Sequence, residues 1–282
     1  MAHVHPSAVI TGDVQLADDV VVGPYCVLAG TIRVGPATTL VSHVHLHGPL
    51  WMGAGNVCYP GVCLGFAPQD LKFDPAKPGS GLVIGERNTF REHVTISRAT
   101  SDQAPTTIGS RNYWMSNSHA GHDVRVGDDC MFANGVLFGG FAQIGDRVVI
   151  GGGAGVHQFA RVGRFAMISG LTGISADVPP FCMSTSLNSV TGLNVVGLRR
   201  GGVPRDTIDH IRWAFRKLYR RGSPIKKNVE TLREREHVPE VREMLDFVLS
   251  ARRAVADRLG RARHGSMQLV RAAAELDTNE LT

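Results

Sequence analysis

Apolar residues recur at every sixth position through the first two thirds of the chain. This spacing holds over residues 4–64, returns over 84–96 and holds again over 108–174. A helix has an apolar period near 3.6 and a half-buried strand has a period of two, so neither explains the pattern. A period of six is typical of short strands separated by turns in a parallel β-helix. We therefore predict a mainly β protein whose triangular coils contain about 18 residues and stack at about 4.8 Å.

The six-residue pattern is interrupted twice before it ends. Its register slips by two across residues 66–82, and a second interruption falls at 97–107. Since the pattern resumes in full after each interruption, we interpret both as loops that leave a continuous solenoid. The prediction is a hexapeptide-repeat β-helix domain over residues 1–187 with loops at 66–82 and 97–107.

Helical spacing replaces the six-residue pattern beyond about Pro204. Apolar residues are spaced for one face of a helix over residues 208–219 and again within 238–263. We predict a connector and a small α-helical C-terminal domain over residues 188–282. The tail 264–282 is weakly apolar, and its role stays open.

Composition narrows the classes of protein that remain. The 33 glycines among 282 residues indicate many tight turns. No uninterrupted apolar run approaches the length of a membrane span, and the first residues lack the basic and apolar regions of a secretory signal. Five cysteines without a CxxC pair favour reduced thiols and a cytoplasmic protein. A net charge of +5 without a recognisable nucleic-acid module argues against a nucleic-acid partner.

A coil of constant length converts sequence distance into spatial distance. His122, Gly140 and Gln158 should form one column on an edge of the prism, with Asp123 and His157 in the columns beside it. A histidine one coil from a glycine lies within about 5 Å of an unobstructed backbone N–H. A base beside such an N–H is the minimum for acyl transfer, because one removes a proton and the other stabilises an oxyanion. The alternative is an ordinary set of surface histidines and turn glycines.

Metal binding is a competing interpretation of the histidines. His119 and His122 are three residues apart, whereas His157 lies about two coils from His122, or roughly 10 Å. The ligands of one zinc ion each lie about 2 Å from the metal, so these three do not fit a single ion. We predict no metal site, with a metal shared between subunits as the remaining alternative.

Two further features suggest where a substrate binds. The first interruption carries Asp70 and Lys72 beside apolar residues, which favours an ordered loop that touches the substrate over a merely solvated loop. A third column consists of Asn134, Gly152 and Gly170. Since two of its three coils have a glycine there and therefore no side chain, we predict a groove along the prism.

Residues 199–227 are strongly basic, with ten basic side chains against Asp206 and Asp209. Such a surface attracts an acidic partner or a diphosphate, although a solvated helix face has the same composition. The ten are Arg199, Arg200, Arg205, Arg212, Arg216, Lys217, Arg220, Arg221, Lys226 and Lys227.

Several motifs between about His5 and Arg221 together resemble one enzyme family, the acyl-(acyl-carrier-protein)–UDP-N-acetylglucosamine O-acyltransferases, which begin lipid A synthesis. Hexapeptides alone are shared by many acyltransferases, so the loop motif and the two histidine motifs carry most of the resemblance. The motifs are His5-Pro6-Ser7-Ala8, Gly23-Pro24-Tyr25-Cys26, Gln69-Asp70-Leu71-Lys72, Ile84-Gly85-Glu86-Arg87-Asn88, Arg91-Glu92-His93-Val94-Thr95-Ile96, His119-Ala120-Gly121-His122-Asp123, Val156-His157-Gln158-Phe159 and Asp177-Val178-Pro179-Pro180.

The resemblance implies a fold, an assembly and a reaction. The β-helix would be left-handed, and the protein would be a homotrimer with active sites between neighbouring subunits. It would move a 3-hydroxyacyl group from the phosphopantetheine of acyl carrier protein to the 3-position of UDP-N-acetylglucosamine. No metal or free cofactor is implied, because the thioester supplies the activation.

The resemblance also implies residue roles. His122 would be the general base, Asp123 would support its imidazolium, and the Gly140 N–H would stabilise the oxyanion. Lys72, with Gln69 and Asp70, matches the loop that meets the nucleotide sugar. Further substrate or carrier contacts match His119, His157, Gln158, Asn194 and Arg200, and Gly170 matches the position that limits acyl-chain length.

Some positions depart from the family pattern. Phe141 stands where a histidine is usual, Val196 replaces a glutamate, Gly201 replaces an arginine, and Ser97 replaces a histidine. The stretch 184–191 is one residue shorter. These departures leave open a 3-amino sugar acceptor with amide formation, or a non-catalytic β-helix that binds a nucleotide sugar or serves as a trimeric scaffold. A coenzyme A donor is a separate alternative.

Overall fold

The structure is a computed structural model that describes residues 1–219, 224–235 and 237–256. Among these residues the chain forms three sheets of short parallel strands on the three sides of a prism, and consecutive strands pass from one sheet to the next. Arg220, Arg221 and the tail 264–282, which the sequence analysis singled out, lie outside the described residues.

The strands are two to four residues long, as six-residue repeats require. The first sheet contains His3–Val4, Val21–Val22, Thr39–Leu40, Val57–Cys58, Thr89–Phe90, Tyr113–Trp114, Met131–Phe132, Val149–Ile150, Met167–Ile168, Cys182–Ser184 and the antiparallel Gly192–Leu193. The second contains Val9–Thr11, Val27–Ala29, His45–His47, Cys63–Phe66, Thr95–Ser97, His119–Ala120, Leu137–Phe138, Gly155–Val156 and Gly173–Ile174. The third contains Val14–Leu16, Ile32–Val34, Leu50–Met52, Leu82–Ile84, Thr106–Ile108, Arg125–Val126, Gln143–Ile144 and Arg161–Val162.

The apolar residue of each hexapeptide points into the prism. Leu28 lies beside Leu46 in the second sheet, 18 residues away, and both are buried. Every coil therefore stacks its inward side chain on the equivalent one below, which gives a continuous apolar core. The fold class predicted from the sequence is confirmed.

Both interruptions lie between the second and third sheets. Leu64 pairs with Ile96 and Ile96 with Ala120, spacings of 32 and 24 residues in place of 18. The second insertion adds one hexapeptide length, so it leaves the apolar register unchanged, whereas the first shifts it. Because the two coils are neighbours, the insertions leave the prism at the same edge and lie against each other.

Four helices follow the last coils within the described residues. They are α1 (Val195–Arg200), α2 (Arg205–Leu218), α3 (Ile225–Arg233) and α4 (Pro239–Leu249). Helix α2 begins after Pro204, as its apolar spacing predicts, and α1 and α3 were not predicted. The proposed division of the chain at residue 187 stays a prediction, since the buried residues of the helices continue the same core.

The helical prediction for 238–263 holds for Pro239–Leu249 and is wrong for residues 250–256, whereas 257–263 lie outside the described residues. The chain turns after α4, and Val255 makes a parallel β-bridge with Asp177. The amide of Asp177 donates to the carbonyl of Ala254, and the amide of Ala256 donates to the carbonyl of Asp177. The apolar residues near 255 therefore extend the β-helix instead of continuing a helix.

Two sequence-level expectations concern membranes and thiols. Within the described ranges, no helix combines the length and apolar character needed to cross a bilayer. All five cysteines carry free thiols, and Cys63 alone among them is partly exposed.

Candidate active site

The turns that lead from the second to the third sheet bring the predicted base and the predicted amide together. We call residues 121–124, 139–142 and 157–160 the second corner. A Cβ built on Gly140 would lie 2.7 Å from both Nε2 and Cε1 of His122. The imidazole therefore occupies the space that any side chain at position 140 would need.

The imidazole of His122 is held in one orientation by its neighbour. Its Nδ1 lies 2.7 Å from Oδ2 of Asp123, and only 17% of the His122 side chain is exposed. The Nδ1–H donates to the carboxylate in this arrangement, so Nε2 carries the free lone pair and can accept a proton. This tautomer suits a general base whose reactive nitrogen faces Gly140.

Asp123 is itself positioned by the second insertion. Its Oδ2 accepts hydrogen bonds from the Thr100 hydroxyl at 2.6 Å and from the Thr100 amide at 3.0 Å, and its amide donates to the Thr106 hydroxyl. Burial alone would raise the pKa of the Asp123 carboxyl, but hydrogen bonds from His122 and Thr100 lower it below its ordinary value. The carboxylate is therefore ionised at neutral pH and stabilises an imidazolium.

The backbone amide of Gly140 is available to a ligand. No hydrogen bond among the described residues uses this N–H, whereas the neighbouring amides of Gly139 and Phe141 donate to Val156 and His122 carbonyls. A Cβ on Gly121 would lie 2.9 Å from the Gly140 nitrogen, so the glycine at 121 keeps that nitrogen uncovered. A free donor beside a fixed base is the arrangement that stabilises an oxyanion.

Two aromatic side chains, Phe141 and Phe159, lie next to the base in the second corner. Phe141 meets the His122 ring edge-on, with centroids 5.2 Å apart, and stacks on Phe159 at 4.7 Å with an interplanar angle of 9°. Such pairs pack favourably through their quadrupoles. Phe141 thus gives the imidazole an apolar neighbour.

The two other predicted histidines lie near the corner with different surroundings. His119 is half-buried in an interior strand of the second sheet, and its Nδ1 lies 2.7 Å from the Thr95 hydroxyl. Burial lowers the pKa of His119, so the ring is neutral at physiological pH. His157 and Gln158 are exposed, two coils from Asp123 and His122.

The first insertion is ordered by an arginine from the second. Arg98 is 2% exposed, and its guanidinium donates to the carbonyls of Gly65, Pro75 and Lys77. Desolvation lowers the pKa of Arg98, and no carboxylate within the described ranges pairs with it. The backbone acceptors offset part of the cost of burying Arg98, whose Nε has no hydrogen-bond partner among the described residues, and they fix the course of the insertion.

Gln69, Asp70 and Lys72 are exposed on this ordered insertion. Oδ1 of Asp70 accepts the amide of Lys72 at 2.9 Å, and the carbonyl of Asp70 accepts the amide of Phe73. The three side chains therefore face solvent from a fixed turn beside the edge that carries His122.

Three predicted residues lie elsewhere on the same subunit. Asn194 is buried, caps α1 by accepting the Gly197 amide at 2.9 Å, and donates to the Phe165 carbonyl. Arg200 is exposed on α1 beside the first sheet. Gly170 lies at the edge between the first and second sheets, where its Cβ would be 3.1 Å from the Gly152 carbonyl. One subunit does not bring these three to His122.

The described residues contain no group of three or more histidine, cysteine, aspartate or glutamate side chains that could hold a metal ion. His122 is engaged with Asp123, and His119 with Thr95.

Comparison with known proteins places the chain in a family. Two family models match it: one described as Udp N-acetylglucosamine O-acyltransferase, Domain 2, over residues 177–256, and one described as bacterial transferase hexapeptide (six repeats), over 105–140. The acyl-(acyl-carrier-protein)–UDP-N-acetylglucosamine O-acyltransferase of Thermodesulfovibrio yellowstonii is 37% identical over 258 residues, covering 90% of this chain and 99% of that protein. The chain belongs to this acyltransferase family.

Other relatives agree. The protein of the same name from Syntrophobacter fumaroxidans is 39% identical over 256 residues, covering 89% of this chain and 98% of that protein. The solved UDP-N-acetylglucosamine O-acyltransferase of Moraxella catarrhalis is 36% identical with a TM-score of 0.84, covering 90% of this chain and 99% of that one. The solved UDP-N-acetylglucosamine acyltransferase of Campylobacter jejuni is 32% identical with the same TM-score and coverages. The family suggested by the sequence is confirmed.

The structure shows the environment of two positions that depart from the family pattern, Gly201 and Val196. A Cβ on Gly201 would overlap the ring of Phe165, and Arg147 donates to the Gly201 carbonyl at 3.0 Å. Phe165 and Arg147 therefore fill the space that an arginine of the family would need. Val196 is 59% exposed, and nothing in the structure explains its replacement of a glutamate.

Sequence reasoning missed Thr100, Arg98 and Arg253. Thr100 and Arg98 belong to the second insertion, where the six-residue pattern is interrupted and does not predict which residues are neighbours. Arg253 donates to the Gln158 carbonyl at 2.8 Å from 95 residues away. No local signal predicts such contacts.

Proposed function

We propose that the protein transfers a 3-hydroxyacyl group from acyl carrier protein to the 3-hydroxyl of UDP-N-acetylglucosamine, the first step of lipid A synthesis. One observation carries the proposal: His122, oriented by Asp123, directs Nε2 at a glycine whose N–H is free. Membership of the acyltransferase family supplies the substrate class.

The reaction follows from these groups. Nε2 of His122 removes the proton of the sugar 3-hydroxyl as its oxygen attacks the thioester carbonyl. The resulting tetrahedral oxyanion accepts the Gly140 N–H, and Asp123 stabilises the imidazolium. Collapse breaks the carbon–sulfur bond, and the imidazolium returns its proton to the leaving thiolate. The ester and free thiol form without a metal or separate cofactor.

The remaining predicted contacts require a second subunit. Arg200 lies beside the first sheet, whereas His122 lies at the second corner of the same prism. We propose a homotrimer in which the Arg200 and Asn194 region of one copy faces the second corner of its neighbour. The five free thiols support a cytoplasmic location, where disulfides are rare.

Product analysis by mass spectrometry tests the proposal. UDP-N-acetylglucosamine and its 3-amino analogue are each offered with a ladder of acyl chains on carrier protein or on coenzyme A. We expect a 3-O-acyl ester from the carrier-bound donor. Exclusive amide formation would identify the altered acceptor, exclusive use of coenzyme A the altered donor, and no product from any pair a non-catalytic protein.

The exposed basic side chains of α2 are the proposed docking surface for the acidic carrier. Helix α2 buries one apolar face, and Arg216 and Lys217 are exposed at its last turn. We expect Arg216→Glu to raise KM for the acyl carrier about three- to tenfold at low salt, because like charges now oppose each other. Arg87→Glu, an equal charge change on an exposed coil turn, is the control.

Salt dependence distinguishes docking from structural damage. Screening weakens exposed charge interactions as ionic strength rises, so the difference between the Arg216 variant and wild type should shrink at high salt. A KM that is unchanged at low salt would remove α2 from the carrier surface.

A further inference from the structure

Four consecutive residues, 98–101, lie between two parts of the candidate site that are far apart along the chain. On one side is the first insertion, which exposes Lys72. On the other side is Asp123, which orients His122. We call residues 98–101 the linking segment. It begins directly after the strand Thr95–Ser97 of the second sheet and forms hydrogen bonds with both sides.

The first residue of the linking segment binds the first insertion. The guanidinium of Arg98 donates to the carbonyls of Pro75 and Lys77, at 2.9 Å each. It also donates to the Gly65 carbonyl at 3.3 Å, and the Arg98 amide donates to the Phe66 carbonyl at 3.0 Å. Gly65 and Phe66 lie where the insertion leaves the second sheet, whereas Pro75 and Lys77 lie in its second half. Arg98 therefore holds two distant parts of the insertion together.

The third residue of the linking segment binds the catalytic carboxylate. The hydroxyl and the amide of Thr100 both donate to Oδ2 of Asp123, at 2.6 and 3.0 Å. The same oxygen lies 2.7 Å from Nδ1 of His122. Asp123 is 9% exposed, so little water is available to replace a lost donor. Thr100 therefore fixes the oxygen that in turn fixes the imidazole.

The residues between and after these two are also held in place. Ala99 is fully buried, and its amide donates to the Gly81 carbonyl at 3.1 Å. The Ser101 carbonyl accepts the amide of Ser80 at 2.9 Å. The linking segment is thus bonded to the first insertion on both sides of Thr100, so the insertion and the carboxylate share one rigid support.

We propose that Arg98 and Thr100 are positioning residues with separate tasks. Arg98 holds the first insertion in the form that binds the nucleotide sugar, and Thr100 holds Asp123 and, through it, the His122 base. This assignment rests on the proposed acyl transfer and deepens it. The two tasks should affect different constants, because the insertion acts on substrate binding and the base acts on the chemical step.

Replacing Thr100 by valine, which has the same shape without the hydroxyl, is expected to lower kcat about tenfold. The Thr100 amide still donates to Asp123, so the carboxylate keeps its place but is held less firmly, and small displacements of a reacting group are costly. The Kd for UDP-N-acetylglucosamine, measured by calorimetry without a donor, should stay within about twofold of wild type. Thr100→Ser restores the hydroxyl and should recover most of the lost kcat.

Thr107→Val is the matched control for the loss of a hydroxyl. Thr107 lies directly after the second insertion, in the strand Thr106–Ile108, and its hydroxyl donates to the Pro105 carbonyl at 3.2 Å. This bond does not reach Asp123, so the variant should keep wild-type kcat. An equal loss of kcat in the Thr107 and Thr100 variants would overturn the assignment of Thr100.

A double-mutant cycle shows whether Thr100 acts through Asp123. In the Asp123→Ala variant the carboxylate that Thr100 holds is absent, so adding Thr100→Val should change kcat by less than about twofold. A further tenfold loss in this background would mean that Thr100 acts by another route, and the proposal would fail.

Replacing Arg98 by methionine is expected to raise the Kd and the KM for UDP-N-acetylglucosamine about tenfold, because the insertion loses three carbonyl contacts. At saturating nucleotide sugar, kcat should stay within about threefold of wild type. Since Arg98 is buried, Arg98→Lys provides a milder change if methionine prevents folding. Lysine keeps the charge without the planar fork, so we expect a rise in Kd of about threefold. An unchanged Kd in a folded Arg98 variant would contradict the proposal.

These outcomes are distinguishable from failure of the proposed function. If wild type transfers no acyl group, the proposed function fails, whereas calorimetry still measures the effect of Arg98 on binding of the nucleotide sugar. If wild type transfers the acyl group but the Thr100 and Arg98 variants change the same constant, the function stands and the separate tasks are refuted.

Discussion

Replacing His122 by alanine is expected to lower kcat at least about 10²-fold, the usual share of a general base. Alanine removes the Nε2 lone pair that faces Gly140 and leaves the Gly140 N–H in place. KM for the nucleotide sugar should change little, because the sugar contacts proposed for the first insertion remain. Initial rates with carrier-bound donor and thermal unfolding of the same samples give the two measurements needed.

Replacing a histidine outside the site controls for effects of a His→Ala substitution that are unrelated to proton transfer. His43 is exposed at another edge of the prism, and its ring lies beside that of Tyr25, with centroids 5.0 Å apart. His43→Ala should keep wild-type kcat and a similar melting temperature. A His122 variant that folds and keeps wild-type turnover would remove the histidine from the chemistry.

Gly140→Ala is expected to lower kcat about 10²-fold through displacement of the base. The new methyl would lie 2.7 Å from Nε2 and Cε1 of His122, well inside van der Waals contact. The ring must move and weaken its bond to Asp123, and a shift of about 1 Å in a reacting group can cost this much rate. The backbone N–H is retained, so the loss reports the imidazole position.

The control for this change is a Gly→Ala substitution at a position where the new methyl group has no close neighbours. A Cβ on Gly192 meets nothing within 4 Å, so Gly192→Ala should leave kcat and stability unchanged. If Gly140→Ala kept full turnover, the close approach of imidazole and glycine would have no part in the reaction.

The six-residue pattern predicted the parts of the fold that depend on regular winding. It gave the parallel coils, the two insertions and the column that contains His122 and Gly140, because constant coil length alone determines these neighbours. The same regularity explains why Gly121 and Gly139 border that column.

What the pattern could not predict comes from contacts without a period. Helix α1 depends on the buried Asn194 cap, and the helical prediction failed over residues 250–256 because Val255 pairs with Asp177 instead. Arg98 fixes the first insertion by donating to the Lys77 carbonyl, 21 residues away. Arg253 donates to the Gln158 carbonyl in the second corner, 95 residues away. Side-chain to backbone bonds of this range leave no local signature in a sequence.

A crystal structure with the O-acylated nucleotide sugar bound would show whether His122 and Gly140 act on the same acyl group. We expect the ester oxygen on the sugar to lie within about 2.6–3.2 Å of Nε2 of His122. We also expect the acyl carbonyl oxygen to lie close to the Gly140 nitrogen. A product bound with its ester more than about 6 Å from either group, well beyond hydrogen-bond reach, would exclude His122 and Gly140 as the base and the oxyanion donor.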